Sequence, residues 1–259
     1  RNIHHILALT KKMKNVYIFV IAVTFLAFLV RFIAVSTVPP GLYIDEVSNG
    51  LNAYMILTTG RDEHGVPYPL WFKAFGEYKL PVMIYLIAGS MAFFGKTELA
   101  VRLPSVLAGT LSVPLFFMLL YQLVLSVKDR KLQFLPYIST VLLAVTPWHI
   151  HFSRGGFEAT IALFFTLLGI ASFLKYLQKS TPSWLLIGTV AFAITMYTYN
   201  AYRIITVLLA LFIFGYLIMR KKASKKVIFL NILFFVLLIL PVIIFSISPE
   251  GSERFTQTS

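Results

Sequence analysis

Seven apolar runs dominate this chain of 259 residues: roughly 16–38, 103–125, 133–148, 158–178, 183–200, 203–220 and 226–247. A helix needs ~20 apolar residues to cross ~30 Å of hydrocarbon, and most of these runs reach or approach that length. In lipid every backbone N–H and C=O must be satisfied within the protein, so such a chain folds as a helix bundle. Composition agrees: 58% of residues are hydrophobic and 13% charged, against about a quarter charged in soluble domains. The net charge of +13 would suggest nucleic acid in a soluble protein. In a membrane protein it is read first as topology, because Lys and Arg gather in cytoplasmic loops, and no nucleic-acid partner is expected. With no cysteine, a disulfide framework, thiolate chemistry and Cys-based metal sites are excluded. Run 16–38 is too long for a signal-peptide core and lacks a cleavage pattern, so it is read as a retained span.

One segment, "LPVMIYLIAGSMAFFG" at 80–95, is long enough for an interfacial or re-entrant helix and short for a span. Charge decides between these. If 80–95 does not span and the N-terminus is cytoplasmic, segments 1–15, 126–133, 175–182 and 220–226 share the cytoplasmic side. They hold 14 of the 23 Lys and Arg but only one acid, Asp129. If 80–95 does span, "VKDRK" and "RKKASKK" move outside, against the positive-inside rule. The fold class expected is therefore all-α integral membrane, with about seven transmembrane helices and surface-lying helices in the first outer loop, 39–102. Four polar clusters then share the outer face: that loop, "PWHIHFSRGGFE", "YTYNAYR" and the tail "SPEGSERF".

The loop opens with "VPPG", which breaks the first helix. "DEVSNGLNAYMILTTG" follows with helical amphipathicity; Leu51, Tyr54, Met55 and Leu57 are expected toward lipid headgroups and Asn49 and Asn52 toward water. Asp45 and Glu46 stand at its start. Carboxylates there complement the helix dipole and cap free N–H groups, so a purely structural role stays open for both. Asp62, Glu63 and His64 form a polar turn. Trp71, Phe72, Phe75 and Tyr78 read as interface anchors, and Glu77 and Lys79 flank Tyr78 at the start of the surface helix. Arg102, Arg154 and Arg203 sit at outer helix ends, a face that the positive-inside rule keeps poor in basic residues. A lipid phosphate is a suitable partner, since the guanidinium fork matches phosphate oxygens. His149 and His151 would point to different helix faces, which argues against a metal pair; a divalent ion on Asp45 and Glu46 stays open.

The stretches "PPGLYIDE", "GRDEHG", "FGEYKLPVMIYL", "FGKTELAVRLPSVLAG", "TPWHIHFSRGGFE" and "YTYNAYR" together resemble integral-membrane glycosyltransferases of the GT-C architecture. The likeness is to the group related to protein O-mannosyltransferases and the lipid A aminoarabinose transferase. Members of that group are longer, so 1–259 is expected to be the N-terminal part of a single transferase domain. The resemblance implies transfer of a sugar from a polyprenyl-phosphate carrier to a lipid, glycan or protein acceptor outside the cytoplasm, in the plasma (inner) membrane. It implies catalytic carboxylates at Asp45 and its neighbour Glu46, and donor-phosphate binding by Lys79 and Arg102. Arg154 and Arg203 join the phosphate set by position, and His64, Glu77, Glu158 and Tyr199 join the substrate pocket.

The chemistry is consistent with that set. A carboxylate that takes the acceptor proton contributes ~10²–10⁴-fold, and cations stabilise the charge on the departing phosphate. A phosphate leaves without a second carboxylic acid, unlike the alkoxide of glycoside hydrolysis. No G-x-G-x-x-G or P-loop pattern appears. The rival reading is a polytopic transporter or lipid flippase. Such proteins place ionisable residues near the bilayer midplane, whereas here only Arg31 falls within a span and the other charges sit at ends and in loops.

Overall fold

The computed structural model describes residues 2–127, 130–249 and 251, with side chains from Lys14 onward except that of Arg130. The chain runs α1 (Asn2–Phe32), α2 (Ile44–Thr59), the hairpin β1 (Phe72–Ala74) and β2 (Glu77–Lys79), α3 (Pro81–Phe94), α4 (Glu98–Val127), α5 (Leu135–Val145), α6 (Pro147–Arg154), α7 (Glu158–Lys179), α8 (Pro182–Met196), α9 (Tyr202–Met219) and α10 (Lys225–Ser246). Among the described residues, five helices are long and apolar enough to cross a membrane: α1 from Lys14, α4, α7, α9 and α10. The protein is a multi-pass, mostly helical membrane protein. Two expected spans are shorter than their apolar runs. Helix α5 has 11 residues, because Pro147 starts a new helix, and α8 has 15, because the polar turn "YTYN" follows it.

Helices α7 to α10 enclose one core, with Phe173, Leu185, Phe192, Met196, Ile213, Leu217 and Phe235 buried in it. Association of helices in lipid depends on close packing rather than on a hydrophobic drive. Gly169 and Gly188 supply that closeness: a Cβ on Gly169 would lie 2.6 Å from the Phe192 ring, and one on Gly188 3.2 Å from the Gly169 carbonyl. Large apolar residues such as Ile21, Phe25, Leu208, Leu211 and Phe212 stay more than half exposed on the spans, as lipid-facing positions should.

A second core joins α2, α3, the start of α4 and the hairpin through Ala53, Ile56, Phe72, Met83, Ile84, Ile87 and Val101. Helix α3 lies in this layer, packed against α2 and α4. Phe72 is therefore a core residue, fully buried, and not an interface anchor. Trp71 stacks face to face on Phe245 (centroids 4.2 Å apart) and on Tyr197 (5.9 Å), which fastens the loop to the ends of α8 and α10. Of the four aromatics only Phe75 is widely exposed, at 65%.

Helix α2 is amphipathic; Leu51 and Leu57 face outward as expected, but the asparagines do not. Asn49 and Asn52 are fully buried beside Glu46 and Ser48, while Ile44, Val47, Leu51 and Leu57 are exposed. Those four apolar residues turn away from the protein, Ala53 and Ile56 pack into the second core, and the polar face lies beside the site.

The end of α1, the starts of α2, α3, α4, α7 and α9 and the ends of α6, α8 and α10 gather at one end of the bundle, as their mutual contacts below show. The polar clusters at 39–102, 146–158 and 197–203 thus meet. The tail "SPEGSERF" lies largely outside the described residues, as do Lys128 and Asp129.

Candidate active site

The break after α1 creates the first demand. The last four carbonyls of a helix have no partner within it, and near lipid each orphan costs free energy. The chain from Val30 to Gly41 meets this demand with arginine. Arg154 donates to the carbonyls of Val30 (2.8 Å), Ile33 (2.8 Å) and Val38 (2.9 Å). Arg102 donates to those of Val35 (2.7 Å), Pro39 (2.9 Å) and Gly41. Arg31 donates to Ala27 and Ala144 (both 3.0 Å) and to His149 Nδ1 (2.7 Å). Since arginine has no acceptor, His149 Nδ1 carries no proton. Arg31 belongs to the last turn of α1 and is fully buried there, so it marks a helix end and not the middle of a span.

Arg102 also grips Glu46, with Nε to Oε1 at 2.9 Å and Nη2 to Oε2 at 3.3 Å. Its five N–H donors are thus all taken, and both side chains are fully buried. Glu46 accepts two more bonds, from Tyr43 N (2.9 Å) at the start of α2 and from Gly156 N (2.8 Å) before α7. Gly156 comes so close that a Cβ there would lie 3.2 Å from Glu46 Cγ and 3.3 Å from Oε1. One carboxylate therefore ties α2, α4 and the α6–α7 link together. Burial first, and the Arg102 charge second, lower the Arg154 pKa from the usual arginine value.

Asp45 has a different environment. Its side chain is 50% exposed and takes one ion pair, from Lys79 Nζ at 2.5 Å, whose own side chain is 6% exposed. Lys79 arrives by the hairpin: Ala74 pairs with Glu77, and the turn residues Phe75 and Gly76 have φ of 54° and 77°. Two consecutive positive φ values define the tight turn that matches strand twist, and glycine at the second position removes the steric penalty there. The hairpin was not expected from sequence; its only signal is that Gly76 between short β-compatible stretches.

Asp45 and Lys79 line a cleft of about 240 Å³, with Glu77, Phe152, Phe157, Glu158, Thr198, Tyr199 and Asn200 on its other walls. Glu158 Oε1 accepts from Asn49 Nδ2 at 2.8 Å, so the buried polar face of α2 reaches the cleft. Asn49, expected toward water, is buried here, and neither it nor Thr198 nor Asn200 is among the site residues expected from sequence. Of the expected residues the cleft unites Asp45, Glu77, Lys79, Glu158 and Tyr199. Glu46, Arg102 and Arg154 stand behind it, engaged with protein groups and offering Arg102 no N–H for a ligand. Arg203, one turn past the Tyr199 wall, places its guanidinium 5.8 Å from the Phe245 ring. His64 lies apart in the 60–67 turn, with Nε2 3.0 Å from the Lys73 carbonyl. Among the described residues no three His, Asp or Glu converge as metal ligands.

A polar cleft at one end of a membrane bundle, floored by an acid–lysine pair, is the setting in which comparison with known proteins decides. Residues 78–245, about two thirds of the chain, match the dolichyl-phosphate-mannose-protein mannosyltransferase family. The chain belongs to that family. A comparison with curated proteins found no match. This member of the mannosyltransferase family is a membrane glycosyltransferase of the mannosyltransferase type, as the GT-C resemblance implied. The matched stretch contains Lys79, Arg102, Arg154, Glu158, Tyr199 and Arg203, and begins after Asp45 and Glu46.

Proposed function

We propose that the protein transfers a sugar from a polyprenyl-phosphate carrier to an acceptor hydroxyl, with inversion, and that Asp45 is the general base. The observation that carries this reading is the half-exposed Asp45 carboxylate, held by a nearly buried lysine at the floor of a polar cleft. In the reaction, Asp45 takes the acceptor proton as the hydroxyl oxygen bonds to the anomeric carbon. The bond from that carbon to the phosphate oxygen breaks, and the phosphate leaves with the electron pair. A lysine beside the base, in a site partly shielded from water, stabilises that departing charge.

Glu46 and Arg102 act as positioning residues in this reading. Arg102 fixes Glu46, Glu46 fixes the start of α2, and Asp45 is the adjacent residue. Lys79 takes the donor phosphate, with Arg203 near the rim. Glu77, Glu158 and Tyr199 contact sugar or acceptor, while His64 supports the loop. The acceptor is a lipid, a glycan or a protein.

The site faces outward from the plasma (inner) membrane, with the N-terminus cytoplasmic. Charge supports this orientation: Asp45, Glu46, Asp62, Glu63, Glu77, Glu98 and Glu158 lie at the cleft end, and Arg220, Lys221, Lys222, Lys225 and Lys226 at the other. Basic residues mark the cytoplasmic side.

The test is a transfer assay with the full-length enzyme in liposomes, given polyprenyl-phosphate-linked mannose or a nucleotide-linked mannose. Consumption of the lipid-linked donor alone is expected; use of the nucleotide sugar would overturn the donor class. Chelator treatment in the same assay tests the divalent ion that Asp45 leaves open. The chain has no cysteine, so single cysteines at Val66 and Lys128 report topology. An impermeant maleimide should label the first from outside and the second from inside.

A further inference from the structure

The far end of the bundle carries a feature that sugar transfer does not use. There α7 ends at Lys179 and α8 begins at Pro182, next to the turn between α9 and α10. Ser180 and Lys221 have φ of 52° and 49°, so both turns fold back sharply. Tyr176, Ser180, Pro182, Lys221, Lys222 and Ser224 line an open pocket of about 440 Å³ between them. Tyr176 is only 4% exposed, and its hydroxyl donates one long bond, 3.4 Å, to the Lys222 carbonyl.

We propose that this pocket holds the headgroup phosphate of an anionic phospholipid. Three lines converge on that ligand. First, Lys221 and Lys222 are exposed, and among the described residues every acid lies at the cleft end, so no described carboxylate stands beside them. Second, the depth fits. Spans α9 and α10, of 18 and 22 residues, cover about 27 to 33 Å at ~1.5 Å per residue, which places the pocket at the level of the bilayer phosphates. Third, apolar surface adjoins the charge on the lipid side: Ile218, Met219 and Phe229 are 56%, 83% and 63% exposed. Lysines above and bare apolar side chains below match a headgroup above its acyl chains. Basic pockets between membrane helices recognise anionic headgroups in this way. A phosphate here would accept from both ammonium groups, and the weakly held Tyr176 hydroxyl is placed to turn to it. The lipid would thereby join the α7–α8 and α9–α10 turns.

The test uses the full-length protein in zwitterionic detergent micelles doped with phosphatidylglycerol, with retained lipid counted by native mass spectrometry. The Lys221→Ser/Lys222→Ser protein should retain phosphatidylglycerol about thirtyfold more weakly, from about two lysine contacts of headgroup attraction. The Lys225→Ser/Lys226→Ser protein removes the same charge outside the pocket and should lose at least fivefold less. Equal loss in both pairs would show only diffuse attraction and overturn the pocket. Unchanged retention in the first pair would overturn it as well. Release of the lipid by millimolar inorganic phosphate would assign the site to the free ion and overturn the lipid reading. Thermal unfolding of each variant before lipid is added confirms that the fold survives.

Discussion

Two adjacent carboxylates, Asp45 and Glu46, organise opposite kinds of region. Around Glu46 the protein is closed: the carboxylate accepts four N–H bonds, and Arg102 spends all five donors on Glu46 and on the α1–α2 link. Around Asp45 it is open, with one lysine partner and half the side chain exposed. A buried, saturated ion pair sets geometry but cannot meet a substrate. A half-exposed acid can meet one, but needs something rigid behind it. Placing the two on consecutive residues of α2 transmits the rigidity of the clamp to the base. Preorganised groups lose little to rearrangement as charge develops, which is where electrostatic catalysis gains most.

The contrast breaks most visibly at the clamp. Arg102→Met should destabilise the protein by about 3–5 kcal/mol, because Glu46 is left as an uncompensated buried charge; thermal unfolding measures this. Lys79→Met should do the reverse, lowering kcat about 10²-fold, as removal of a charge-stabilising donor does, while the melting temperature barely changes. Gly156→Ala tests the seam between the regions. The added methyl presses on Glu46 and Met83 and should cost about 1–3 kcal/mol, as overpacking does, measured by denaturant unfolding. His64→Ala should change least. Its ring meets the Lys73 carbonyl, outside the cleft, and a surface change of this kind stays within about 0.5 kcal/mol; transfer rate and stability should both stay near wild type.

Much of the architecture was legible because lipid allows few folds: the long spans and their gathering of polar turns at one end follow from run length and charge. The outward aim of Leu51 and Leu57 on α2 was legible, but the burial of Asn49 and Asn52 was not. A helical period shows that two faces differ, but not which one meets the protein. Here the apolar face of Val47 and Leu51 is outermost, and Asn49 and Asn52 are sealed inside. The arginines show a related limit. Their rarity on that face signals that Arg102 and Arg154 need an acceptor, yet sequence cannot separate a lipid phosphate from the orphan carbonyls of a broken helix. The structure gives them the carbonyls of residues 30–41. The hairpin that delivers Lys79 to Asp45 escaped because three-residue strands carry almost no periodic signal.

The most direct measurement compares Asp45→Asn with Glu46→Gln in the full-length enzyme, following both sugar transfer from the lipid-linked donor and thermal unfolding. Asp45→Asn should reduce kcat by about 10²–10⁴-fold with an unfolding midpoint near that of wild type, while Glu46→Gln should lower the midpoint. Near-normal transfer by the Asp45→Asn enzyme would contradict the assignment of Asp45 as the base.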